Sequence, residues 1–268
     1  MGRVRLMRMV AVVLGGGVGQ RLGAGVPKQL LTLGGMTLIE RCVATFEAAP
    51  GIDEILVVMA SGWTAQVKAI LADGGYAKVT DVIEGGATRP DSTRVALAAI
   101  AAARSAPGPN AKPDFRPGQD CAQDCAQDCA QDCAQDCGVL LHDAARPLVD
   151  QRIIADCVAA LETHDAAGVA VPTSDTIVVT HDGVMESMPA RETVQRCQTP
   201  QCFRLSVITR AHQLAAADPD FAPTDDCGVV LRYLPEVGVH IVAGSEDNIK
   251  VTYPRDLAIA EALLKQNS

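Results

Sequence analysis

The chain has 268 residues, with 23 lysines and arginines against 32 aspartates and glutamates, and its aromatic residues are 1 tryptophan, 3 tyrosines and 4 phenylalanines. A net charge of −9 argues against a partner bound by neutralising a phosphate backbone, and so few aromatic side chains argue against stacking on bases. No apolar run approaches the roughly 18 residues that a membrane span needs. We therefore expect no nucleic-acid or membrane partner, and one large or two small domains.

The first segment resembles a secretion signal only faintly. Three arginines precede an apolar run, but this run leads directly into a cluster of glycines with Arg21 and Lys28 behind it. We interpret residues 10–14 as a buried strand that feeds a glycine-rich loop, and we expect the protein to be cytoplasmic.

Strand and helix alternate in the first half of the chain. The predicted strands are residues 10–14, 54–59, 79–83 and 139–142, and the predicted helices are residues 36–48, 66–71, 92–103 and 152–161. This alternation is typical of an α/β fold, with a mostly parallel sheet and helices on both faces.

The pattern changes after residue 168. His181-Asp182-Gly183 is a strong turn signal between two strand-like runs, and it predicts a hairpin arm over about residues 173–191. The remaining predicted elements are strands at 168–171, 202–203 and 240–243, a helix at 205–217, a short helix after Thr224 and a last helix opened by Pro254. We expect a single domain over residues 9–266.

Half of the ten cysteines lie in a Gln-Asp-Cys-Ala repeat inside an interval, residues 105–137, that does not fit a compact domain. We interpret this interval as an inserted loop, with an inert repeat, weak metal or thiol chemistry, or a regulatory role left open. The other five cysteines suggest reduced, buried thiols and no disulfide framework: Cys42, Cys157, Cys197, Cys202 and Cys227.

Three clusters carry the candidate chemistry. The loop Leu14 to Gly23 with Lys28 offers backbone N–H groups and cations to a polyphosphate, although it lacks the Gly-Lys-Ser/Thr of a Walker A loop. His142-Asp143-Ala144-Ala145-Arg146-Pro147 follows a strand, where Asp143 suits Mg²⁺ and Arg146 a phosphate, while His142 is expected to be packed. In Asp247 to Thr252, Asp247 is a second candidate Mg²⁺ ligand and Lys250 a phosphate partner. Without a functional role, the three clusters would be, in the same order, a flexible surface loop, an Asp–Arg ion pair and a charged surface turn.

In their order along the chain, these clusters resemble the 2-C-methyl-D-erythritol 4-phosphate cytidylyltransferases of the non-mevalonate isoprenoid pathway. The resemblance runs from about Val10 to Leu264 outside the insert. It also rests on Arg89-Pro90-Asp91-Ser92, Asp175-Thr176, Arg191, Thr199-Pro200-Gln201 and Thr224-Asp225. It implies a Rossmann-like nucleotidyltransferase domain whose hairpin arm makes a homodimer.

The resemblance also implies roles for individual residues. Four cations become catalytic, with the first two on the triphosphate: Arg21, Lys28, Arg191 and Lys250. CTP is expected at Gly15, Gly16, Gly17, Gly19, Gly86, Ser92 and Asp143, and the polyol phosphate at Arg146, Thr176, Thr199 and Thr224. Mg²⁺ is expected at Asp143 and Asp247. Two departures, glycines in place of Pro-Ala-Ala at the loop start and Ala87 in place of an acidic residue, bear on loop mobility and on contacts with the base.

The implied reaction is attack of a substrate phosphate on the α-phosphorus of CTP. No Ser/His/Asp or Cys/His arrangement is needed, because a phosphate monoester is largely dianionic at neutral pH. Three other functions remain open: a ribitol 5-phosphate cytidylyltransferase, a sugar 1-phosphate nucleotidylyltransferase, and a cysteine-rich metal-binding protein on an inactive nucleotide fold.

Overall fold

A computed structural model of the chain describes residues 7–16, 26–105, 136–218, 220–221 and 223–266. Three predicted site residues, Gly17, Gly19 and Arg21, lie outside the described residues, as does nearly all of the cysteine repeat. Within the described part, no helix is long and apolar enough to span a membrane.

The secondary structure follows the predicted alternation. The strands are β1 (Met9–Gly15), β2 (Thr32–Leu33), β3 (Met36–Thr37), β4 (Glu54–Met59), β5 (Val79–Glu84), β6 (Gly138–Asp143), β7 (Ala166–Pro172), β8 (Val179–His181), β9 (Val184–Ser187), β10 (Gln195–Arg204) and β11 (Val239–Ala243). The helices are α1 (Leu38–Ala48), α2 (Thr64–Asp73), α3 (Arg89–Ser105), α4 (Gln151–Ala160), α5 (Leu205–Ala216), α6 (Asp226–Tyr233) and α7 (Pro254–Gln266). Short 3₁₀ turns occur at Lys28–Leu30 and Arg191–Thr193.

Seven strands form one sheet in the order β11-β7-β10-β6-β1-β4-β5. Strand β1 is parallel to β4 and β6, β4 is parallel to β5, and β11 is parallel to β7. Only β10 runs antiparallel to its neighbours β6 and β7 within this sheet. The prediction of an α/β fold with a mostly parallel sheet is therefore confirmed.

The core lies on both faces of the sheet, which is why the central strands read as continuous apolar runs. All seven residues of β1 are buried. Ala11 and Val13 pack on one face with Phe46 of α1, while Val10 and Val12 pack on the other with residues of α3 and α5. Full burial of each such side chain contributes about 1.5–3 kcal/mol, so these strands fix the positions of the loops that follow them.

Two elements differ from the prediction. Helix α1 begins at Leu38 and not at Met36, because the Thr37 hydroxyl accepts a hydrogen bond from the Glu40 backbone N–H and the Glu40 carboxylate accepts one from the Thr37 backbone N–H. Strand β10 has ten residues where only 202–203 were predicted. Its buried polar residues are satisfied by side-chain hydrogen bonds, which an apolar pattern does not reveal.

The hairpin arm is present, with β8 and β9 paired antiparallel. Asp182 and Gly183 have φ of 48° and 76°, as a tight two-residue hairpin turn requires. Its apolar side chains are exposed, including Val184 at 68% and Met185 at 58%. The arm therefore presents an apolar surface in the single chain.

The cysteines in the described ranges are all free thiols. Cys42, Cys157, Cys202 and Cys227 are buried as expected, whereas the prediction of a buried thiol is wrong for Cys197, which is exposed. It lies near a register shift in β10 that follows it, where the strand is no longer covered on that side.

Candidate active site

Asp143 is the centre of the candidate site. It ends β6, beside the end of β1, at the carboxyl edge where ligands of α/β sheets bind. Its Oδ1 accepts a hydrogen bond from Arg89 Nε at 3.0 Å, and its Oδ2 accepts one from Lys250 Nζ at 2.7 Å. Burial alone raises the pKa of Asp143, but the charges of Arg89 and Lys250 outweigh it and hold this pKa well below its usual range. The carboxylate is therefore anionic at any physiological pH.

Arg89 has a second acidic partner, which sequence reasoning missed. Its Nη1 donates to Oδ2 of Asp226 at 2.8 Å, and Oδ1 of Asp226 lies 3.0 Å from Nε2 of His212. Burial lowers the pKa of Arg89, yet Asp226 and Asp143 together raise it above its ordinary value. A continuous chain of hydrogen-bonded side chains thus runs from His212 through Asp226, Arg89 and Asp143 to Lys250. The sequence signal was present, since Asp225 and Asp226 open a helix after Thr224.

His142 supports Asp143 from within the core. Its Nε2 lies 3.0 Å from the carbonyl oxygen of Arg146, which only accepts, so Nε2 carries the ring proton. Its Nδ1 then accepts from the Thr199 hydroxyl at 3.1 Å, and that hydroxyl accepts from the backbone N–H of Asp143 at 3.1 Å. Burial lowers the pKa of His142 to about 4. His142 is packed as expected, and Thr199 fixes the backbone at Asp143.

Arg146 lies between the second and third sequence clusters. Its Nη1 donates to the carbonyl oxygen of Asn248 at 2.7 Å, and its Nη2 donates to that of Cys197 at 3.3 Å. Burial lowers its pKa. The fully buried Asn248 in turn donates to the carbonyl oxygen of Thr199 at 2.9 Å. Arg146 therefore links strand β10 to the loop that contains Lys250.

Lys28 connects the first cluster with the third. Its Nζ donates to the carbonyl oxygen of Val251 at 3.0 Å, across 223 residues of sequence. Lys250 is the neighbour of Val251, and its own ammonium reaches Asp143. The structure therefore brings Lys28, Lys250 and Asp143 into one region.

The predicted cytidine residues also lie together. Cβ atoms built on Gly16 and Gly85 would lie 3.0 Å and 2.7 Å from the Ser92 hydroxyl. A Cβ on Gly86 would lie 2.2 Å from that of Asp91, so only glycine fits there. The Ser92 hydroxyl, 2% exposed as a residue, donates to the carbonyl oxygen of Thr88 at 3.0 Å. Backbone from two loops therefore approaches the start of α3 closely.

The remaining predicted residues lie on the arm and on two loops. Arg191 Nη2 donates to the Thr176 hydroxyl at 3.2 Å, and both line a pocket of about 200 Å³ with Asp175. Thr224 is exposed, two residues before Asp226. The backbone N–H of Asp247 donates to the Ser245 hydroxyl at 3.1 Å. Within the described part of the single chain, neither Arg191 nor Thr176 is hydrogen-bonded to Asp143.

Comparison with known proteins decides the family. A family model described as "IspD: 2-C-methyl-D-erythritol 4-phosphate cytidylyltransferase" matches residues 9–106 and 120–266. A protein of that name from Thermobifida fusca is 48% identical over 266 residues, which are 97% of this chain and 95% of that protein. The chain belongs to the 2-C-methyl-D-erythritol 4-phosphate cytidylyltransferase family. It is thus a nucleotidyltransferase enzyme, as the sequence predicted.

The chain is also similar to a solved structure and to a protein with a different name. The crystal structure of 4-diphosphocytidyl-2C-methyl-D-erythritol synthase from Anaerococcus prevotii has a TM-score of 0.74 and 23% identity, covering 97% of each chain, and it supports the fold. A Haemophilus influenzae protein named bifunctional ribulose 5-phosphate reductase/CDP-ribitol pyrophosphorylase Bcs1 is 35% identical over 261 residues, covering 97% of this chain and 48% of that protein.

The side chains that would hold a divalent cation in such a cytidylyltransferase are few. Within the described ranges, no three His, Cys, Asp or Glu side chains converge into a self-sufficient metal site. Mg²⁺ is commonly held by one or two carboxylates together with substrate phosphates. Asp143 fits this use, because it is anionic and each oxygen that accepts one hydrogen bond retains a further lone pair.

Proposed function

We propose that the chain transfers CMP from CTP to 2-C-methyl-D-erythritol 4-phosphate, giving 4-diphosphocytidyl-2-C-methyl-D-erythritol and pyrophosphate, in isoprenoid precursor biosynthesis. One observation carries this proposal beyond family membership. Three clusters that are far apart in sequence lie in one region, because Lys250 contacts the Asp143 carboxylate and Lys28 contacts the carbonyl oxygen of the neighbouring Val251. Such a set of cations suits a reaction in which negative charge accumulates on phosphate oxygens.

The triphosphate is assigned to the first cluster and its neighbours. Lys28 and Arg21 are assigned to neutralising the phosphates, and the backbone N–H groups of Gly15, Gly16, Gly17 and Gly19 are assigned as hydrogen-bond donors to them. The cytidine is assigned to the narrow space that Gly86 and Ser92 border. Close backbone approach at Gly16 and Gly85 supports this assignment, since side chains there would collide with Ser92.

Asp143 and Asp247 are the proposed ligands of Mg²⁺. When bound, the cation neutralises charge on the CTP phosphates and polarises the phosphorus that is attacked. Asp143 keeps its negative charge for this purpose because Arg89 and Lys250 stabilise it. Those two cations then orient the carboxylate, each through a separate oxygen.

The acceptor phosphate is assigned to Arg146, Lys250 and the arm. The guanidinium of Arg146 donates to the carbonyl oxygens of Asn248 and Cys197, which are uncharged acceptors. Thr176 and Arg191 bring a hydroxyl and a guanidinium to the arm pocket, and Thr199 and Thr224 complete the proposed set. The arms of two chains pairing through their exposed apolar side chains would bring this pocket to the partner's site.

No general base is needed in this mechanism. The attacking phosphate monoester has a second pKa near 6, so it is mostly dianionic at neutral pH. His142 is not available as a base either, since both of its ring nitrogens are hydrogen-bonded in the core. The residues of the chain act by binding, orienting and neutralising the two substrates.

A homodimer formed through the hairpin arm and a cytoplasmic location belong to the same proposal. The exposed apolar side chains of the arm support pairing between chains. The free thiols of the described cysteines suit a reducing compartment.

The test is pyrophosphate release from CTP and Mg²⁺ with each of three acceptors: 2-C-methyl-D-erythritol 4-phosphate, ribitol 5-phosphate and a sugar 1-phosphate. We expect release with the first alone. Release only with ribitol 5-phosphate would keep the CTP site and overturn the acceptor, and this candidate is retained because of the Haemophilus relative. Silence with all three in a folded protein would contradict the proposed function.

A further inference from the structure

Two cysteines outside the proposed catalytic set are held together by one side chain. Nε2 of Gln201 donates to Sγ of Cys197 at 3.2 Å, and Oε1 of the same amide accepts from the backbone N–H of Cys227 at 3.1 Å. The two thiols also interact with each other. Gly168 leaves room for this arrangement, because a Cβ there would lie 3.0 Å from the Cys227 sulfur.

The two sulfurs differ in access and acidity. Cys197 is exposed, and the hydrogen bond from Cys227, aided by Gln201 against the effect of burial, lowers its pKa to about 7. The same hydrogen bond and then burial raise the pKa of Cys227, and nearby Asp225 adds to this. An exposed cysteine with a lowered pKa beside a buried thiol is the usual arrangement of an oxidisable pair.

A second pair in the same chain provides a comparison. Cys157 and Cys202 also interact through their thiols, but both are fully buried. Burial and that neighbour raise the pKa of Cys202. A dissolved oxidant reaches neither sulfur, so the difference between the pairs lies in access and charge, not in proximity.

We propose that Cys197 and Cys227 form a thiol-oxidation site, at which a hydroperoxide converts the reduced pair into a disulfide. The Cys197 thiolate attacks one peroxide oxygen, so that an S–O bond forms and the O–O bond breaks. The sulfur loses two electrons and becomes a sulfenic acid, while the peroxide is reduced to an alcohol, or to water, after taking a proton from solvent.

Cys227 then resolves this intermediate. Its sulfur attacks the sulfenic sulfur, the S–S bond forms, the S–O bond breaks, and the hydroxide leaves as water with the proton of the Cys227 thiol. Overall, two thiols and one hydroperoxide give one disulfide, one alcohol and one water. The S–S bond draws the sulfurs from hydrogen-bond contact to about 2.05 Å.

The bond would disturb the proposed acceptor site. The carbonyl oxygen of Cys197 accepts from Arg146 Nη2 at 3.3 Å, and Cys227 follows Asp226, the buried partner of Arg89. Oxidation also disturbs the contact of Gln201 with the Cys197 sulfur, and the same amide accepts from the backbone N–H groups of Asp226 and Cys227, which links β10 to the start of α6. We therefore expect the disulfide to lower turnover. This expected loss of turnover rests on the proposed function, whereas formation of the disulfide does not.

The experiment uses the reduced full chain treated with hydrogen peroxide at neutral pH, followed by alkylation and tryptic mass mapping. We expect a linked pair of the peptides 197–204 and 211–232, lighter than their sum by two hydrogens, and loss of most pyrophosphate release that dithiothreitol restores. Cys197→Ser should abolish the link, whereas Cys202→Ala should retain it. Because the peptide 197–204 contains both cysteines, these two variants also show which of them forms the disulfide.

Cys227→Ser provides the second variant. It should leave Cys197 as a sulfenic acid that dimedone traps, since the resolving thiol is gone. Fully alkylated Cys197 after peroxide treatment would overturn the proposal, as would a Cys157–Cys202 link formed as readily as the expected one. If the reduced chain lacks the proposed turnover but still forms the link, the proposed function fails and the oxidation site stands.

Discussion

The pH dependence of stability tests how His142 is built into the core. Both ring nitrogens are hydrogen-bonded, Nε2 to the carbonyl oxygen of Arg146 and Nδ1 to the Thr199 hydroxyl. Burial lowers the pKa of His142 from 6.5 to about 4, because a charged ring loses its hydration there. The folded chain therefore keeps this ring neutral in a range where the unfolded chain binds a proton.

The sign and size of the effect follow directly. Above pH 6.5 the ring is neutral in both states and the full stability is present. As the pH falls from 6.5 towards 4, only the unfolded state takes up the proton, so the free energy of unfolding decreases by about 1.4 kcal/mol per pH unit. The loss reaches about 3 kcal/mol near pH 4 and then levels off, since the folded state is also protonated there.

The measurement is urea unfolding from pH about 4 to about 8 for the wild type and for His142→Gln. Carboxylates titrate in both proteins, so the difference between the two stability curves isolates His142. We expect this difference to shrink by about 3 kcal/mol between neutral pH and pH 4. His181→Gln, which removes an exposed histidine of the arm, is the matched control and should run parallel to the wild type. A parallel curve for His142→Gln would refute the reasoning.

Three further predictions concern the charged network, the triphosphate side and the arm. Asp226→Ala leaves Arg89 buried with one acidic partner fewer, so we expect the free energy of unfolding to fall by about 3–5 kcal/mol in urea titrations. Adding Arg89→Met to the Asp226→Ala variant should recover part of the lost free energy of unfolding. If the effects of the two single substitutions simply add in the double-mutant cycle, this would argue against an energetic coupling between Arg89 and Asp226. Lys28→Ala should lower kcat by roughly a hundredfold or more with the thermal midpoint retained, while Lys68→Ala, at an exposed ion pair, should match the wild type in both. Val184→Asp places a charge on the exposed apolar arm and should shift the mass in sedimentation from dimer to monomer, and an unchanged dimer would exclude the arm as the interface.

The central strands were predictable because one physical condition determines their sequence. Strands β1, β4 and β6 are covered by helices on both faces, so nearly every residue is apolar and the run is visible without a partner. Residues 198–203 of strand β10 are also buried, but the polar Gln198, Thr199 and Gln201 are each satisfied by residues from other elements. A burial pattern that depends on distant hydrogen-bond partners leaves no periodic signal in its own segment.

The same distinction separates the parts of the site that sequence revealed from those that it did not. Asp143 and Lys250 stood in contiguous motifs whose residue types already suggested phosphate chemistry. Arg89 was visible as part of a motif, yet its role depends on Asp226, which is 137 residues away, and on His212, which is hydrogen-bonded to Asp226. Sequence shows which charges exist, whereas their pairing is decided by the fold.

Arg146 shows that an apparent structural role and a binding role are compatible in one side chain. Its hydrogen bonds to the carbonyl oxygens of Asn248 and Cys197 hold the loop of Lys250 against β10. Carbonyl oxygens accept hydrogen bonds without supplying a full negative charge, and burial lowers the pKa of this guanidinium accordingly. An anionic phosphate brought to this position would supply the missing charge and strengthen the positive form. The arginine that orders the loop would thereby also suit the acceptor phosphate that we propose for it, because the hydrogen bonds that fix its position go to uncharged carbonyl oxygens.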